Sequence, residues 1–216
     1  DKETDLTTLE KVRTRQRLSP DERIPQILDA ALAEFTRCGF AAARMDDIAA
    51  RCGLSKGGLY AHFGAKEALF DALMQRELVP PDLAPLHALA QRGESGEADR
   101  LAEALVDELH RQLMRPSVVA VLRLLVAERE RVPQRVAQWH QALVRPWLEL
   151  LGELLASLAG PDHLLGREPW LAIAPAVHLL TAQLVLGEQA PQALAQARQA
   201  HVDMLRGLLS APARAA

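Results

Sequence analysis

An all-α fold is predicted by three observations. β-branched residues are scarce, with Ile, Val and Thr numbering 4, 13 and 6 among 216 residues, while Leu and Ala abound, a balance that favours helices over sheets. Apolar side chains recur three and four positions apart through long stretches, the spacing of one helix face. Of the 13 prolines, 11 fall at or after position 80, where they punctuate those stretches as helix starts and stops. With 49% hydrophobic residues over this length, the chain can bury a core, which excludes disorder and a small disulfide-held scaffold.

Residues 1–18 lack apolar periodicity and read as a flexible basic arm, with Lys11, Arg13, Arg15 and Arg17 alternating along it. The arm is either a solvated tail or a segment that touches a polyanion. Ser19-Pro20-Asp21-Glu22 has the S-x-x-E form of a capping box with Pro at the first helical position. Pro25 lacks a donor, so the regular helix is expected to begin at Ile24 or Pro25. Ile24, Ile27, Leu28, Ala31, Phe35 and Cys38 then keep helical spacing, and Gly39 supplies the stop.

Two short apolar segments follow, residues 45–52 and 55–63, separated by Gly53-Leu54, and then residues 66–79, ended by Pro80-Pro81. Helices this short are unstable alone, so they must pack on the first. Further helices are predicted near 82–91, 97–115, 117–131, 134–158, 169–188 and 191–209, with loops at Gly93-Glu94-Ser95-Gly96 and Gly160-Pro161. Pro146 and Pro175 should kink the helices that contain them.

Residues 169–187 carry no Asp, Glu, Lys or Arg, close to the roughly 20 apolar residues of a membrane span. Pro169, Pro175, His178, Thr181 and Gln183 dilute the run and no basic flank anchors it, so it reads as a helix buried between protein surfaces. Cys38 and Cys52 lie outside any Cys-x-x-Cys pattern, and the acidic start shows no signal-peptide pattern. Both thiols are expected as small apolar groups in a reducing, cytoplasmic interior. Phe35, Phe40, Phe63 and Phe70, every Phe in the chain, are read as core.

Charge is distributed unevenly. Between positions 11 and 66 ten basic residues face six acidic ones, although the whole chain carries a net charge of −3. A basic third on an acidic body suits a molecule that presents one end to a polyanion. The same third holds the most informative segment, residues 45–63. Two short helices that cross steeply need a small residue at the crossing, a residue tolerant of positive φ in the turn, and inward apolar groups. Ala49, Gly53 and the set Ile48, Cys52, Leu54, Leu59, His62 and Phe63 meet those demands in order. The second helix then turns Ser55, Lys56, Gly57, Gly58 and Ala61 outward, small or basic residues that permit close approach to a groove.

In this stretch the chain resembles the TetR (tetracycline-repressor-like) family of bacterial transcriptional regulators. The resemblance runs from Arg23 through Ile27-Leu28-Asp29-Ala30-Ala31, Phe35, Gly39, Asp47-Ile48-Ala49, Gly53-Leu54-Ser55-Lys56-Gly57, Leu59-Tyr60, His62-Phe63 and Lys66-Glu67-Ala68-Leu69, about a quarter of the chain. It implies an N-terminal helix-turn-helix DNA-binding domain over 19–66, a connecting helix over 67–80, and a larger helical effector-binding and dimerisation domain over 81–212. It further implies that Tyr60 and Lys66 hold phosphates while Lys56 and its neighbours enter the major groove. Arg44, Ser55, Gly57, Gly58, Ala61 and His62 complete the expected DNA-binding set, His62 being either a packed histidine or a phosphate contact, and Tyr60 either a phosphate contact or a core filler. Three departures stand out. Ala43 and Arg44 replace the family's frequent Thr or Ser, so Arg44 keeps a phosphate contact but cannot cap in the same way. Gly58 removes a polar contact, and Ala65 replaces a frequent Ser.

The remainder offers sparser signals. Arg123 stands in an apolar run without a helical partner and is read as a structural ion pair, an exposed site or an effector anchor. His110, Trp139, His140, Trp147 and His178 are polar-tipped groups in apolar stretches, the place to seek an effector pocket. Glu128-Arg129-Glu130-Arg131 reads as a solvated helix end. The last two helices carry broad apolar faces, with Leu171, Ile173, Val177, Leu180, Leu184 and Val185 on one and Leu194, Ala197, Val202, Leu205, Leu208 and Leu209 on the other. Leu171, Val177, Leu184, Leu194, Ala197 and Leu205 are accordingly the expected dimer interface, which the resemblance places in a four-helix bundle.

No cofactor or metal is expected, because the histidines are dispersed and no Gly-rich phosphate loop, G-x-S-x-G elbow or H-E-x-x-H helix is present. The expected function is a homodimeric repressor, not an enzyme, that binds a near-palindromic double-stranded operator and is released by a small apolar or amphipathic effector, with no membrane partner. An activator or architectural binder of the same fold, or a ligand carrier or enzyme with a vestigial head, are the alternatives.

Overall fold

The computed structural model describes residues 19–92, 96–130 and 133–210; the expected basic arm, the loop at 93–95 and Arg131 lie outside them. Twelve α-helices follow one another among the described residues: α1 (Pro20–Ala42), α2 (Met45–Arg51), α3 (Lys56–His62), α4 (Lys66–Glu77), α5 (Ala84–Ala90), α6 (Glu97–Leu113), α7 (Pro116–Glu128), α8 (Pro133–Trp139), α9 (Arg145–Ala159), α10 (Leu164–Arg167), α11 (Ala174–Leu186) and α12 (Pro191–Leu209). The all-α expectation holds, with no strand among these residues.

The first helix starts earlier than Pro25 suggested. Ser19 accepts from the Glu22 amide while the Glu22 carboxylate accepts from the Ser19 amide, so the cap fixes Pro20 as the first helical residue. Pro25 then forfeits one bond, the one its missing N–H would have made to the Asp21 carbonyl. Gly39 breaks the helix without ending it. At φ 78° and ψ 161° it kinks the chain, and helical turns resume to Ala42. The bend carries Phe40 to Phe35 and Phe70, with ring centroids 5.3 and 5.2 Å away and tilted planes, the offset geometry aromatic quadrupoles favour. Phe35 and Phe70 are buried, whereas Phe40 and Phe63 are half-buried around the same core.

Apolar surface collects in two clusters. One joins α1–α4 to α7, with Ile27, Phe35, Ile48, Leu59 and Val121 fully enclosed. The other joins α5, α6, α9, α10 and α12, centred on Leu101, Leu105, Leu151, Leu154 and Leu205. α9 and α10 touch so closely that a Cβ on Gly152 would lie 2.9 Å from the Gly166 carbonyl oxygen, which is how a four-residue helix is held in place.

Pro146 and Pro175 act differently from simple kinks. A π turn, His140–Val144, joins α8 to α9, and the Arg145 amide donates to the His140 carbonyl five residues back. Widening the turn relieves the clash a proline ring at 146 would make with the carbonyl of Ala142. Pro175 sits in the first turn of α11, after a 3₁₀ turn at Pro169–Ala172, so the expected 169–188 helix is two pieces. α11 has 13 residues, about 20 Å, well short of a roughly 30 Å bilayer core. No helix among the described residues is long and apolar enough to cross a membrane.

Candidate functional site

The helix-turn-helix is assembled from the turn outward. Gly53 adopts φ 67°, a conformation that costs a residue bearing a Cβ about 1–2 kcal/mol, and the Leu54 amide returns to the Ala49 carbonyl at 2.8 Å. Leu59, fully buried in the head core, anchors α3 beside α2, and burial of one such side chain contributes about 1.5–3 kcal/mol. Ser55 caps α3, its hydroxyl accepting from the Gly58 amide at 3.1 Å. A Cβ on Gly58 would press on that hydroxyl at 3.2 Å, whereas one on Gly57 would meet nothing within 4 Å.

The outward face of α3 is therefore Lys56, Gly57, Tyr60, Ala61 and His62, all exposed. Tyr60 is 42% exposed and does not fill the core. His62, grouped above with the inward residues, is exposed at the last helical position, and Phe63 takes the inward place as C-cap. Lys56 pairs with Asp46 at 3.1 Å across the α2–α3 angle. Arg44 precedes α2, exposed and without a side-chain cap, as the departure from Ser or Thr led us to expect.

Lys66 is engaged elsewhere. Its ammonium donates to the carbonyls of Ala41 and Ala43, both at 3.0 Å, and lies 4.8 Å from the Phe40 ring centroid. The charge thus stabilises the carbonyl end of α1 against the start of α4. A second clamp escaped the sequence reading. Glu34, 2% exposed, receives Arg37 from its own helix and Arg51 of α2 at 3.1 Å. Hydrogen bonds from Arg37 outweigh burial and, with Arg51, hold the Glu34 carboxyl down at about 2. Burial and the neighbouring Glu34 push the Cys38 thiol up, which suits an inert apolar role.

Behind the head, α4 ends in a polar knot. Glu77 is buried and accepts from Arg76 at 2.7 Å and from the Ser117 hydroxyl at 2.6 Å, while Arg115 donates to its carbonyl at 3.0 Å. Arg76 also reaches Asp29 of α1 at 2.9 Å. Beside this knot lies a cavity of about 220 Å³ with apolar walls from Leu109, Leu113, Leu122, Ile173 and Leu180. Trp139, Trp147 and Gln112 complete it. Each of these three donates to the connector that follows α4: Trp139 to the Leu78 carbonyl at 3.1 Å, Gln112 to Val79 at 2.9 Å and Trp147 to Pro81 at 2.7 Å. A broader polar groove of about 470 Å³ between α4 and α8 shares Trp139 as a wall and is crossed by the Arg135–Asp71 ion pair.

Of the six expected effector residues, Trp139 and Trp147 line this cavity and four do not. His110 instead hydrogen-bonds His201 at 3.1 Å, and His201, 1% exposed, binds the Ala172 carbonyl at 2.8 Å. Burial, then the neighbouring His201 and Arg198, push His110 down to about 4, so both rings are neutral. Arg123 is exposed and reaches the Gln183 carbonyl at 3.4 Å, tying α7 to α11. His140 and His178 face solvent. Gln112 was missed because a lone Gln in an amphipathic helix carries no signal until its partner, 33 residues away, is placed beside it.

Among the expected interface residues, Leu205 is fully buried in the second core and cannot meet a partner. Leu171, Leu184, Leu194 and Ala197 are half-buried and Val177 is 41% exposed. The outward apolar face of α11 is instead carried by Val185 and Leu186, at 75% and 76%. Among the described residues no group of three or more His, Cys, Asp or Glu is placed to hold a metal ion.

Comparison with known proteins places this geometry. Residues 27–73 match the family described as bacterial regulatory proteins, tetR family. The chain is 47% identical over 66 residues to the HTH-type transcriptional activator FasR of Mycolicibacterium smegmatis, covering 31% of this chain and 30% of that protein. It is 38% identical over 60 residues to the HTH-type transcriptional repressor SCO4008 of Streptomyces coelicolor, covering 28% and 31%. These matches span less than a third of either relative. Across nearly the whole chain, a solved TetR-family regulator from Pseudomonas syringae superposes with a TM-score of 0.59 at 25% identity, covering 88% of this chain and 97% of that one.

Proposed function

Because the chain belongs to the tetR family of bacterial transcriptional regulators, we propose that it binds a near-palindromic operator as a homodimer and releases it when a small apolar molecule enters the cavity behind α4. Residues 19–66 serve as the DNA-binding domain, 67–80 as the connecting helix and its linker, and the helices from 81 to 212 as the effector-binding and dimerisation domain. The observation that carries the reading is the bare face of α3: Lys56, Gly57, Tyr60 and Ala61 are exposed while Leu59 anchors the helix from behind. Small side chains and one cation allow a helix to sit deep in a major groove beside phosphates. Dimerisation is supported by the exposed Val185 and Leu186 on α11, since apolar groups clustered on a helix face favour a partner surface. Two heads related by a two-fold axis would read half-sites about 34 Å apart.

Release is supported by the connector. Trp139, Gln112 and Trp147 all touch the cavity and all hold connector carbonyls, so an occupant that moves these side chains alters the seat of α4. A coupling of about 1–3 kcal/mol between effector and operator is expected. Activation is the second reading, favoured by the 47% identical activator. Effector that lowers operator affinity supports repression by release, and effector that raises it supports activation.

The test begins with duplexes selected from random DNA and fluorescence anisotropy across a salt series. Lys56→Ala is expected to weaken binding and lower the log–log salt slope by about one, and Val185→Glu with Leu186→Glu to halve the sedimenting mass and abolish two-site binding. A protein that ignores every duplex at low salt would overturn the reading.

A further inference from the structure

The cavity behind α4 has walls without a free ionic partner for a charge. Its lining residues include no Lys, Arg or His. The Trp139 and Trp147 indoles and a Gln112 side-chain N–H donate to connector carbonyls, and the Glu77 carboxylate is taken by Arg76 and Ser117. Among the described residues, the buried side-chain polar atoms without a hydrogen-bond partner, on Asp46, Glu97, Arg115 and Arg206, belong to residues outside the lining set. The space is also small, about 220 Å³, where a dry cavity of roughly 150 Å³ accommodates benzene.

Resting on the reading that this cavity is the effector site, we infer that its ligand is an uncharged molecule with few or no hydrogen-bonding groups and about ten non-hydrogen atoms, a flat aromatic bicycle being the best fit. The two indoles supply faces and edges for offset packing. A ligand carboxylate would lie beside the like-charged Glu77, whose neighbouring cations Arg76 and Arg115 already serve it, and an ammonium would find the Glu77 carboxylate already held by Arg76, with Arg115 nearby at 3.8 Å. Either ion loses its hydration without a replacement partner, which a neutral ring does not.

Equilibrium dialysis of the full chain near neutral pH with naphthalene, 2-naphthoate and naphthylmethylammonium tests this. Naphthalene is expected to be retained at least about tenfold more tightly than either ion, and Leu122→Trp, which fills the space from a half-buried wall position, is expected to abolish its retention while the helical circular dichroism signal persists. Should that variant lose its helical signal, the change that naphthalene makes in the Trp139 and Trp147 fluorescence of a Trp170→Phe chain replaces it, and no change there would overturn the inference. Ions retained within tenfold of naphthalene would overturn the inference. No retention of naphthalene, or retention unchanged in the folded variant, would overturn it too. Selective retention that leaves operator affinity unaltered would support the ligand class and sink the effector reading instead.

Discussion

In the N-terminal core Phe35, Ile48, Leu59 and Leu69 are closed off, and the adjoining outward face of α3 is small, polar or basic, whereas α11 of the C-terminal body turns Val185 and Leu186 to solvent at 75% and 76% exposure. The head keeps those large apolar side chains enclosed; the body leaves these two open. A surface that meets a hydrated polyanion gains from having no apolar patch, while one that meets an apolar partner surface gains from having one. α7 belongs to both accounts, since Val118, Val121, Leu124 and Leu125 pack in the head core although the helix lies well beyond it in sequence. The two regions are thus joined by shared apolar packing as well as by the polar knot at Glu77.

The contrast breaks most sharply at Phe35. Phe35→Ala should cost about 3–5 kcal/mol in denaturant unfolding and, because α7 shares the core, should lower the stability of both regions in one transition. Two separate transitions, with the second unshifted, would show that the body is closed independently of the head. Lys66→Ala sharpens the comparison on the head side. Losing two charge-assisted hydrogen bonds at a partly exposed site should cost about 1–2 kcal/mol and leave the salt slope of DNA binding unchanged, unlike Lys56→Ala. A slope lowered by about one would return Lys66 to the phosphates.

The smallest effect lies in the body. His110 is held down at about 4 in the fold against 6.5 when free, so the unfolded chain binds a proton first as pH falls. Its contribution is full above pH 6.5 and is lost as pH drops toward 4. Between pH 7 and 5 the fold should lose about 1 kcal/mol, after discounting for partial exposure, and His110→Phe should remove that part of the slope. An unchanged slope in denaturation curves would mean the pair is not kept neutral.

The head was legible because its signals are local. The spacing of Ile27, Leu28, Ala31 and Phe35, the capping box at Ser19 and the positive φ demanded at Gly53 all act within a few residues. In the body, local signals misled. Pro175 looked like a kink inside one helix and instead opens α11, because Pro fits a first turn as readily as it breaks a later one. The four-residue α10 could not be read at all, since its stability comes from His163 capping Leu165 and from Gly166 against Ala156. Glu34, Glu77 and His201 find partners 17, 40 and 91 residues away, and no periodicity announces such pairs. At the candidate site, the outward α3 residues were visible from the pattern, but only the fold showed that Lys66 turns inward, that Gln112 guards the connector, and that Leu205 is out of reach.

The π turn before Pro146 has one more consequence. Eight residues separate Trp139 from Trp147, which in an unbroken α-helix would set their side chains about 80° apart around the axis. One extra residue absorbed in a wide turn takes up about 100° of that rotation and leaves them within roughly 20°. Both indoles therefore look the same way, onto the same stretch of backbone at residues 78 and 81. The angular alignment of the cavity's two aromatic walls is thus set by a single irregular turn, so a change there that never touches the cavity would still swing one wall out of line.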